Sequence, residues 1–584
     1  MWCVPYTCRA AGAVCRWLPS SGFPLSTSCS RLTISAAVHR KLLSRRRRPT
    51  RRRSEPHNSA STEMSDPLLD AYEEFPYESR PISASDVSRI ETLGLLFGMT
   101  PAPADACRVL ELGCAGGANM IAMADRFPLS EFVGIDLAPS QIAEGQQAID
   151  ALRLTNVKLA AMSIADVDEA FGTFDYIICH GVYSWVPPEI QDAILRVCSR
   201  NLDRNGLAYV SYNTLPGWHI RGMVREMILY HDDRSLSPSE RVARGRRLVE
   251  LLASIETNPL TVYTATLREE LEMLRGMSDS LFLHEQLEPY NEPLYFTEFA
   301  RRAAEKGLQF VAESPLATST NQRPEWLKRM MGDGEPDPVR FQQYFDFARG
   351  RTFRCSIIRH AASPALPDAT ASVVPKLYIS SRSAPVPAEE LPATETVSQT
   401  GAVTFRSPDN IAVTTNNPIV VASLTALFEA RPRYLGFADL LERARARSPN
   451  ADLSDAALGP DALAGALLEC ALSGLVELSR CSSRAVDEVT ERPVALRLAR
   501  HRAATSALVP NAHHYTIQVA DIERFVLVCL DGTRTKTEVV SLVEEAITTG
   551  GLVSSGDAVP SHGQVEATVE AVLTRLKDSA LLEA

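Results

Sequence analysis

Short apolar runs separated by amphipathic stretches mark the first part of the chain. The runs are rich in Val, Ile, Leu and Phe, as expected of buried strands, and the stretches between them have helical spacing. The runs, the third with the turn after it, lie at 107–112, 131–137, 157–168, 174–181 and 202–213. Strands that alternate with helices in this order predict an α/β fold with a doubly wound, mostly parallel sheet.

The pattern becomes helical after the fifth strand. Helices are predicted at 216–235, 238–256 and 264–275. Two further apolar runs, at 308–313 and 353–360, predict the sixth and seventh strands of the sheet. We interpret 236–295 as a helical insertion that precedes these last two strands; a separate helical domain over 236–360 is the alternative.

The last third of the chain alternates helices with short strands. Residues 361–400 are rich in Ala, Pro, Ser and Thr, which favours a linker. Two helix–helix–strand units follow, and each has a winged-helix-like pattern. The predicted organisation is a leader at 1–63, a core at 64–235, a helical region with the last core strands at 236–360, a linker at 361–400, and winged-helix-like domains at 401–482 and 483–584.

The net charge of −11 is unevenly distributed along the chain. Residues 1–63 hold 12 of the 60 Lys and Arg but 2 of the 71 Asp and Glu, so the remainder carries a net charge of −21. Residues 401–584 are also acidic, with 17 basic and 23 acidic residues. A surface that binds nucleic acid needs clustered cations, so the composition disfavours a nucleic-acid partner and favours a protein partner.

The twelve cysteines are not arranged as a disulfide framework or a zinc site. Four lie in the first 63 residues, and the other eight are scattered without a C-x-x-C pair. This distribution indicates a reducing compartment and no structural metal. No apolar run approaches the ~18 residues that span a bilayer. We therefore predict a cytoplasmic protein without a membrane span.

Residues 1–63 form a basic leader, predicted to be disordered, that ends in the run RRRRPTRRR. It lacks the apolar core of a secretory signal. An organelle transit peptide and a basic arm for nucleic acid are two possible interpretations. We favour a third, a start codon assigned too early, because the composition changes to that of a folded protein directly after Met64.

Small residues and acids surround the turn between the first strand and the first helix. Glu111 ends the strand, and Gly113, Ala115 and Gly117 follow it. Small residues let the backbone turn tightly and approach a ligand closely, and the helix N-terminus offers free N–H groups. Asp136 ends the second strand, where a carboxylate can accept both hydroxyls of a ribose. The unit therefore predicts a nucleotide-like cofactor.

Two features favour a methyltransferase turn over a dinucleotide-binding turn. Ala115 replaces the second glycine of G-x-G-x-x-G, and Gly116-Gly117 has the wrong spacing for that motif. Glu111 fits the methyltransferase pattern E/D-x-G-x-G-x-G, in which the acid helps to place the cationic sulfonium cofactor or its amino-acid end. We therefore predict S-adenosylmethionine as the cofactor.

Residues at the ends of the other strands complete the predicted cofactor site. They are Leu137 after the second strand, Ser163 and Ile164 after the third, and His180 after the fourth. Many methyltransferases have an acid near position 163 that contacts the adenine amino group. Ser163 stands there instead and Asp166 comes later, so the adenine contact is left open.

Aromatic residues follow the fourth and fifth strands, at the edge where such sheets bind ligands. Methyl transfer needs an unprotonated nucleophile held in line with the methyl group, with water excluded. The candidate walls around a lysine amine are Tyr183, Trp185, Tyr212 and Trp218. His180 or Tyr212 is a candidate to accept a proton or to orient the amine. We take His180, Tyr183, Tyr212 and Trp218 as the predicted catalytic residues; the alternative is that the aromatic rings are core or lid packing.

The segment after the fourth strand lacks one known methyltransferase motif. No [DN]-P-P-[YF] motif follows the fourth strand, which disfavours the enzymes that methylate base or side-chain amide nitrogens with that motif.

Residues 70–86, ahead of the first strand, carry aromatic and hydroxyl side chains. They are a candidate lid over the cofactor, or a strap packed on the sheet.

With ELGCAGGAN, GIDLAPSQIAEG, FDYIICHGVYSWVP and YVSYNTLPGWHIRGMVREMILYH, the chain resembles the bacterial methyltransferases that carry a methyltransferase regulatory domain. These include rickettsial protein-lysine methyltransferases that modify outer-membrane protein. The resemblance runs from about Met64 to the C-terminus. It implies a seven-stranded, Rossmann-like class I fold that binds S-adenosylmethionine through Gly113, Gly117 and Asp136. Residues 83–86 depart from the Thr-His-Pro pattern of the rickettsial relatives, which leaves the substrate open.

The leading prediction is methyl transfer to lysine side chains of a protein. The resemblance implies an outer-membrane or envelope protein as the partner, taken up with the help of the winged-helix region. A small-molecule methyltransferase, a non-catalytic protein that senses S-adenosylmethionine, and a dehydrogenase are the alternatives. The oligomeric state is left open.

Overall fold

The computed structural model describes residues 75–255, 261–319, 329–330, 337–363, 368–387, 402–449, 458–552 and 560–584. The leader predicted at 1–63 lies outside these residues. Within them, no helix combines the length and the apolar character needed to cross a membrane.

Seven strands form the central sheet. They are β1 (Arg108–Leu112), β2 (Glu131–Asp136), β3 (Val157–Ala161), β4 (Phe174–Cys179), β5 (Leu202–Asn213), β6 (Leu308–Glu313) and β7 (Phe353–His360). Their spatial order is β3-β2-β1-β4-β5-β7-β6. Strands β1 to β5 run parallel to one another, whereas β7 is antiparallel to both β5 and β6. The predicted fold class is therefore confirmed.

Helices cover both faces of the sheet. The first four are α1 (Val87–Leu96), α2 (Ala118–Arg126), α3 (Pro139–Leu152) and α4 (Pro188–Arg200). Val109 and Tyr176 point into one apolar core, whereas their neighbours Leu110 and Ile177 point into the other. A strand that is apolar on both faces is what a covered, parallel sheet requires. This is why the strand sequences read as continuous apolar runs.

A helical insertion separates β5 from β6. Its helices are α5 (Trp218–His231), α6 (Pro238–Ser254), α7 (Val262–Arg275) and α8 (Phe296–Glu305), and α9 (Pro338–Arg349) lies between β6 and β7. Helices α5 to α7 bury their own apolar cluster, which includes Val224, Val249 and Leu271. Helix α8 returns to the sheet and buries Phe299 and Ala303 with the residues of β4 and β5.

A buried ion-pair network ties the last two strands to α9. The Arg354 guanidinium on β7 contacts Asp346 on α9 at 2.8 Å and also pairs with Glu313 on β6, and all three side chains are at most 1 % exposed. Removing one member of such a network leaves an uncompensated buried charge. Strands β6 and β7 are thus integral to the sheet, as the insertion interpretation predicts.

Part of the predicted linker, 361–400, is ordered structure. A 3₁₀ helix at Ala371–Lys376 leads into β8 (Tyr378–Ser380) and β9 (Ala384–Val386). Val374 and Ile379 are fully buried. The sequence did not predict these elements because strands of three residues are too short to establish an alternating pattern.

Two units complete the chain. The first contains β10 (Val403–Arg406), β11 (Ala412–Thr415), α10 (Pro418–Glu429), β12 (Leu435–Gly436), α11 (Phe437–Arg447), α12 (Pro460–Ser473) and β13 (Glu477–Ser479). The second contains β14 (Val494–Ala495), α13 (Arg497–Ala503), β15 (Leu508–Pro510), β16 (Thr516–Gln518), α14 (Asp521–Cys529), α15 (Lys536–Thr548), α16 (His562–Asp578) and β17 (Leu582–Glu583). The first unit shares an apolar core with the central sheet, whereas the second has its own.

Candidate functional site

The glycine turn connects β1 to α2 with little room for side chains. Gly113 has φ +73° and Gly117 has φ +68°, in the left-handed region. A Cβ on Gly113 would lie 2.5 Å from Val182 Cγ2, and one on Gly117 would lie 2.7 Å from Leu159 Cδ1. The structure therefore demands glycine at both positions for conformation and for space. The turn exposes backbone rather than side chain to a ligand.

Asp136, the last residue of β2, holds the middle of this turn. Its Oδ2 accepts the Ala115 N–H at 2.8 Å, and its Oδ1 accepts the Ala138 N–H at 3.0 Å. Burial raises the pKa of this carboxyl group. Each oxygen keeps a second lone pair, so the carboxylate can still accept hydroxyl groups. Leu137 follows it and is 46 % exposed, consistent with an apolar ligand contact.

Glu111 lies beneath the turn and is bound on one side only. Its Oε1 accepts from Asn119 Nδ2 at 2.8 Å, whereas its buried Oε2 has no hydrogen-bond partner in the described part of the chain. Burial raises the pKa of Glu111 to about 8. A buried acceptor without a partner is costly unless a ligand supplies the donor. Glu111 is thus suited to a cationic ligand group.

The residues after β3 form a small capped turn. Ser163 Oγ accepts the Ala165 N–H at 3.2 Å and begins a 3₁₀ turn at Ile164–Asp166. Ile164 is buried among the apolar side chains of the sheet. Asp166, the other candidate for an adenine contact, is exposed.

His180 follows β4 and is neutral. Its Nδ1 lies 2.8 Å from the Tyr209 hydroxyl, and its ring stacks on Tyr209 with centroids 5.8 Å apart. Burial lowers the pKa of His180 to about 3. Its Nε2 is buried and has no partner among the described residues. The ring can therefore orient a ligand, but so weak a base is poorly suited to remove a proton from an amine.

Tyr183 and Tyr212 occupy packing positions. Both are at most 1 % exposed, and Tyr212 stacks on Phe299 with centroids 4.1 Å apart while Tyr183 meets Phe299 edge-on. The Tyr212 hydroxyl lies 3.0 Å from Ser356 Oγ. Burial raises the pKa of Tyr183 to about 12. The structure groups these two predicted catalytic residues with the core rather than with an open surface.

Trp185, in the segment after β4, and Trp218, the first residue of α5, form an aromatic pair. Their rings meet edge to face with centroids 6.1 Å apart. The guanidinium of Arg221 lies 5.8 Å from the Trp218 ring, and that of Arg225 lies 6.0 Å from the Trp185 ring. The two cations already use the rings as cation–π partners. Trp218 and both arginines also line a cavity between α5 and α7.

Asn213 and Asn291 were not predicted from the sequence. Asn213 ends β5, is fully buried, and its Nδ2 lies 3.4 Å from Asn291 Oδ1. Asn213 Oδ1 and Asn291 Nδ2 are buried without partners among the described residues. The Asn213 N–H donates to Ser184 Oγ at 2.9 Å, which places it beside the segment after His180. A polar residue at the carboxyl end of a buried strand was the available signal.

Residues 75–86 cross the glycine turn as a strap. Ser79 Oγ accepts the Ala118 N–H at 2.9 Å, at the first residue of α2. The Ile82 N–H donates to Asn119 Oδ1 at 2.9 Å. These bonds fasten the strap to the start of α2, so it packs on the sheet next to the site. The rest of the predicted segment, 70–74, lies outside the described residues.

Three family models match the chain. They are a methyltransferase domain at 109–206, a predicted methyltransferase regulatory domain at 278–360, and the C-terminal winged-helix domain of PKMT at 491–581. The regulatory-domain match covers α8, β6, α9 and β7, so it includes the last two strands of the sheet.

One relative covers most of the chain, and another covers less than half of it. The uncharacterized protein RP789 of Rickettsia prowazekii is 31 % identical over 86 % of this chain and 91 % of its own length. The uncharacterized protein RP028 of the same bacterium is 39 % identical over 40 % of this chain and 94 % of its own length. The solved structure of PKMT2 from Rickettsia typhi is 27 % identical, has a TM-score of 0.75, and covers 87 % of this chain and 100 % of that one. The same protein has also been solved in complex with AdoHcy.

Proposed function

Because the chain belongs to the family of class I methyltransferases with a methyltransferase regulatory domain and a C-terminal winged-helix domain, and uses S-adenosylmethionine as methyl donor, we propose that it methylates lysine side chains of a protein. When bound, S-adenosylmethionine would supply an activated methyl group on its sulfonium. The remaining task of the protein is to hold the two reactants and to present a neutral amine.

The residues around the glycine turn fit this cofactor. The carboxylate of Asp136 suits the ribose hydroxyls, and the unpartnered Oε2 of Glu111 suits the α-ammonium group at the amino-acid end. The left-handed backbone at Gly113 and Gly117 lets the chain approach the ligand closely. Ala115, Leu137, Ser163 and Ile164 remain proposed members of this surface.

The acceptor end of the site carries neutral hydrogen-bonding groups. Asn213 Oδ1 is the acceptor that we assign to the lysine amine, since it is fully buried and has no partner among the described residues. A carboxamide oxygen binds an N–H without adding a charge, which suits a neutral amine. Asn291 and His180 Nε2 lie unpartnered in the same region, while Trp185 and Trp218 form its aromatic wall.

The single observation that carries this proposal is the group of unpartnered buried polar atoms on Glu111, His180, Asn213 and Asn291. Native proteins satisfy most buried polar atoms, so atoms without partners at the carboxyl ends of β1, β4 and β5 support a ligand site there. A protein acceptor is further supported by PKMT2, a protein lysine methyltransferase, which matches this chain over both its core and its C-terminal units.

Methyl transfer tests the proposal directly. We would incubate the full chain with S-adenosylmethionine carrying a labelled methyl group and with cell-envelope proteins, then identify modified residues by mass spectrometry. The expected product is methyl-lysine. The same proteins with acetylated lysines are the matched control and should take no label. Asp136→Ala should lose labelling, because weakening the ribose contacts by about 1–3 kcal/mol weakens cofactor binding.

Two outcomes would contradict the lysine assignment. One is transfer to another residue type or to a small molecule. The other is AdoHcy binding that depends on Asp136, without transfer to any protein; this would favour a protein that senses the cofactor. Asp150→Asn, an exposed acid on α3, is the control variant and should behave as the wild type.

A further inference from the structure

A hairpin of the C-terminal winged-helix domain reaches the start of α2. Strands β15 and β16 pair antiparallel, and their turn carries His514. His514 is 1 % exposed and has φ +61°. Its Nε2 lies 2.7 Å from Asn119 Oδ1, although the two residues are 395 positions apart. The contact is therefore between the last domain and the residue that holds Glu111.

The hydrogen-bond partners fix the protons in this contact. The atom of Asn119 that faces His514 also accepts the Ile82 N–H, and a backbone N–H can only donate, so that atom is the oxygen. His514 Nε2 must then carry the proton. Asn119 Nδ2 uses its two hydrogens on Ser85 Oγ at 3.0 Å and Glu111 Oε1 at 2.8 Å. The carboxamide is thus held in one orientation by four bonds.

The same domain also holds the strap beside the turn. The Arg502 guanidinium donates to the Ser79 carbonyl at 3.3 Å, and Thr516 Oγ1 donates to the Pro81 carbonyl at 3.4 Å. Ser79 in turn binds the first N–H of α2. The winged-helix domain therefore contacts both the start of α2 and the strap, the two elements that lie beside the glycine turn.

A buried charged cluster anchors the hairpin next to these contacts. Glu477 on β13 pairs with Arg89 on α1 at 3.0 Å, accepts from the Tyr434 hydroxyl at 2.9 Å and accepts from the hydroxyl of Tyr515. The Arg89 guanidinium and its neighbours hold the pKa of Glu477 at about 2, so its charge persists. Tyr515, the residue after His514, is thus tied through Glu477 to Arg89 on α1, and this fixes the position of His514.

We propose that this hairpin is a working part of the cofactor site: His514, acting through Asn119, positions Glu111 toward the α-ammonium group at the amino-acid end of S-adenosylmethionine. His514 is a positioning residue, since its side chain contacts Asn119 and acts on Glu111 only through that residue. The inference rests on the proposed function for the cofactor contact of Glu111. It adds that the affinity for the cofactor is set partly by the C-terminal domain.

Two ligands separate positioning from general structure. AdoHcy carries the amino-acid end, whereas 5′-methylthioadenosine lacks it. In the full chain, His514→Gly removes the donor while tolerating the left-handed backbone. We expect AdoHcy binding, measured by calorimetry, to weaken on the order of tenfold and 5′-methylthioadenosine binding to stay within twofold. His514→Gln, whose amide nitrogen has a similar reach, should restore most of the AdoHcy affinity.

Two controls sharpen the test. His562→Ala alters an exposed histidine of the same domain, which pairs with Glu544 instead of Asn119, and should bind AdoHcy as the wild type does. In a Glu111→Gln background, His514→Gly should cause no further loss, because the pathway is already broken. Thermal unfolding of each variant verifies that it folds.

Equal weakening of both ligands by His514→Gly, or unchanged AdoHcy binding, would overturn the inference. So would a full additional loss in the Glu111→Gln background. None of these results bears on the proposed function, whose failure would appear as no transfer to lysine by the wild-type chain. The two hypotheses are therefore tested separately.

Discussion

The cofactor half and the acceptor half of this site are built differently. The cofactor half, Glu111–Asp136, is one continuous strand–turn–helix–strand unit, and its turn is held by local bonds to Asp136. The acceptor half combines His180, Asn213, Trp218 and Asn291 from separate elements, and its key contact joins residues 78 positions apart. Local backbone rules determine the first half, whereas tertiary packing determines the second.

This difference predicts that variants will separate the two halves cleanly. Changes in the turn should alter cofactor affinity, and changes around Asn213 should alter the transfer rate alone. A variant that alters cofactor affinity and transfer rate equally would contradict this separation.

Gly113→Ala should nearly abolish cofactor binding. A left-handed non-glycine residue costs about 1–2 kcal/mol, and forcing a Cβ to 2.5 Å from Val182 adds an overpacking cost of about 1–3 kcal/mol. AdoHcy affinity, measured by calorimetry, should fall by at least about 30-fold. Gly116→Ala is the matched control, since its Cβ would meet Ser79 at an ordinary 3.4 Å. Equal losses in both variants would refute the argument from conformation.

Asn213→Ala should slow methyl transfer on the order of 100-fold. The amine would lose its proposed acceptor, while the glycine turn stays intact. AdoHcy affinity should therefore remain within twofold, as single-turnover rates and calorimetry on the same sample would establish. Asn205→Ala, an exposed asparagine on the same strand, should have no effect. An unchanged rate in Asn213→Ala would remove this residue from the acceptor half.

AdoHcy binding should tighten as the pH rises toward 8. Burial raises the pKa of Glu111 to about 8, so below that pH the carboxyl group is protonated and must lose its proton to bind a cation. Affinity should increase about tenfold between pH 7 and pH 8.5. Glu111→Gln should show no such dependence, whereas Glu131→Gln, an exposed acid on β2, should retain it.

Tyr212→Phe should lower stability slightly and leave catalysis unchanged. The variant loses the hydrogen bond to Ser356, worth about 1 kcal/mol of unfolding free energy. Denaturant unfolding and transfer rates measure the two effects. A tenfold slower transfer at near-normal stability would instead support the catalytic role that the sequence predicts for this tyrosine.

Most of the fold could be predicted from the sequence, and the proposed cofactor half consists of residues that the sequence pattern had already singled out. The left-handed backbone at Gly113 and Gly117 and the bonds from Asp136 to backbone N–H groups of the turn follow local rules that a sequence pattern can show. The acceptor half could not be predicted in the same way. Tyr183 and Tyr212 were predicted to line the acceptor, yet their rings pack on Phe299, which lies on α8 far along the chain. Sequence position at a strand end does not determine which face a ring occupies.

The contribution of the C-terminal domain also escaped prediction. His514 lies in a turn, and nothing near it in the sequence indicates a contact with Asn119. The acidic composition of residues 401–584 predicted a contact with protein, but it could not identify which surface makes that contact.

The bond between Asn119 and His514 has a consequence for the order of folding. The central sheet is complete once β7 has been synthesised, but the last contact beneath the cofactor turn comes more than 150 residues later. Closing so long a loop requires the final domain to fold and dock first. On the ribosome, tight cofactor binding would thus be acquired late. Cofactor occupancy would then report that the whole polypeptide, rather than its catalytic core alone, has reached its native state.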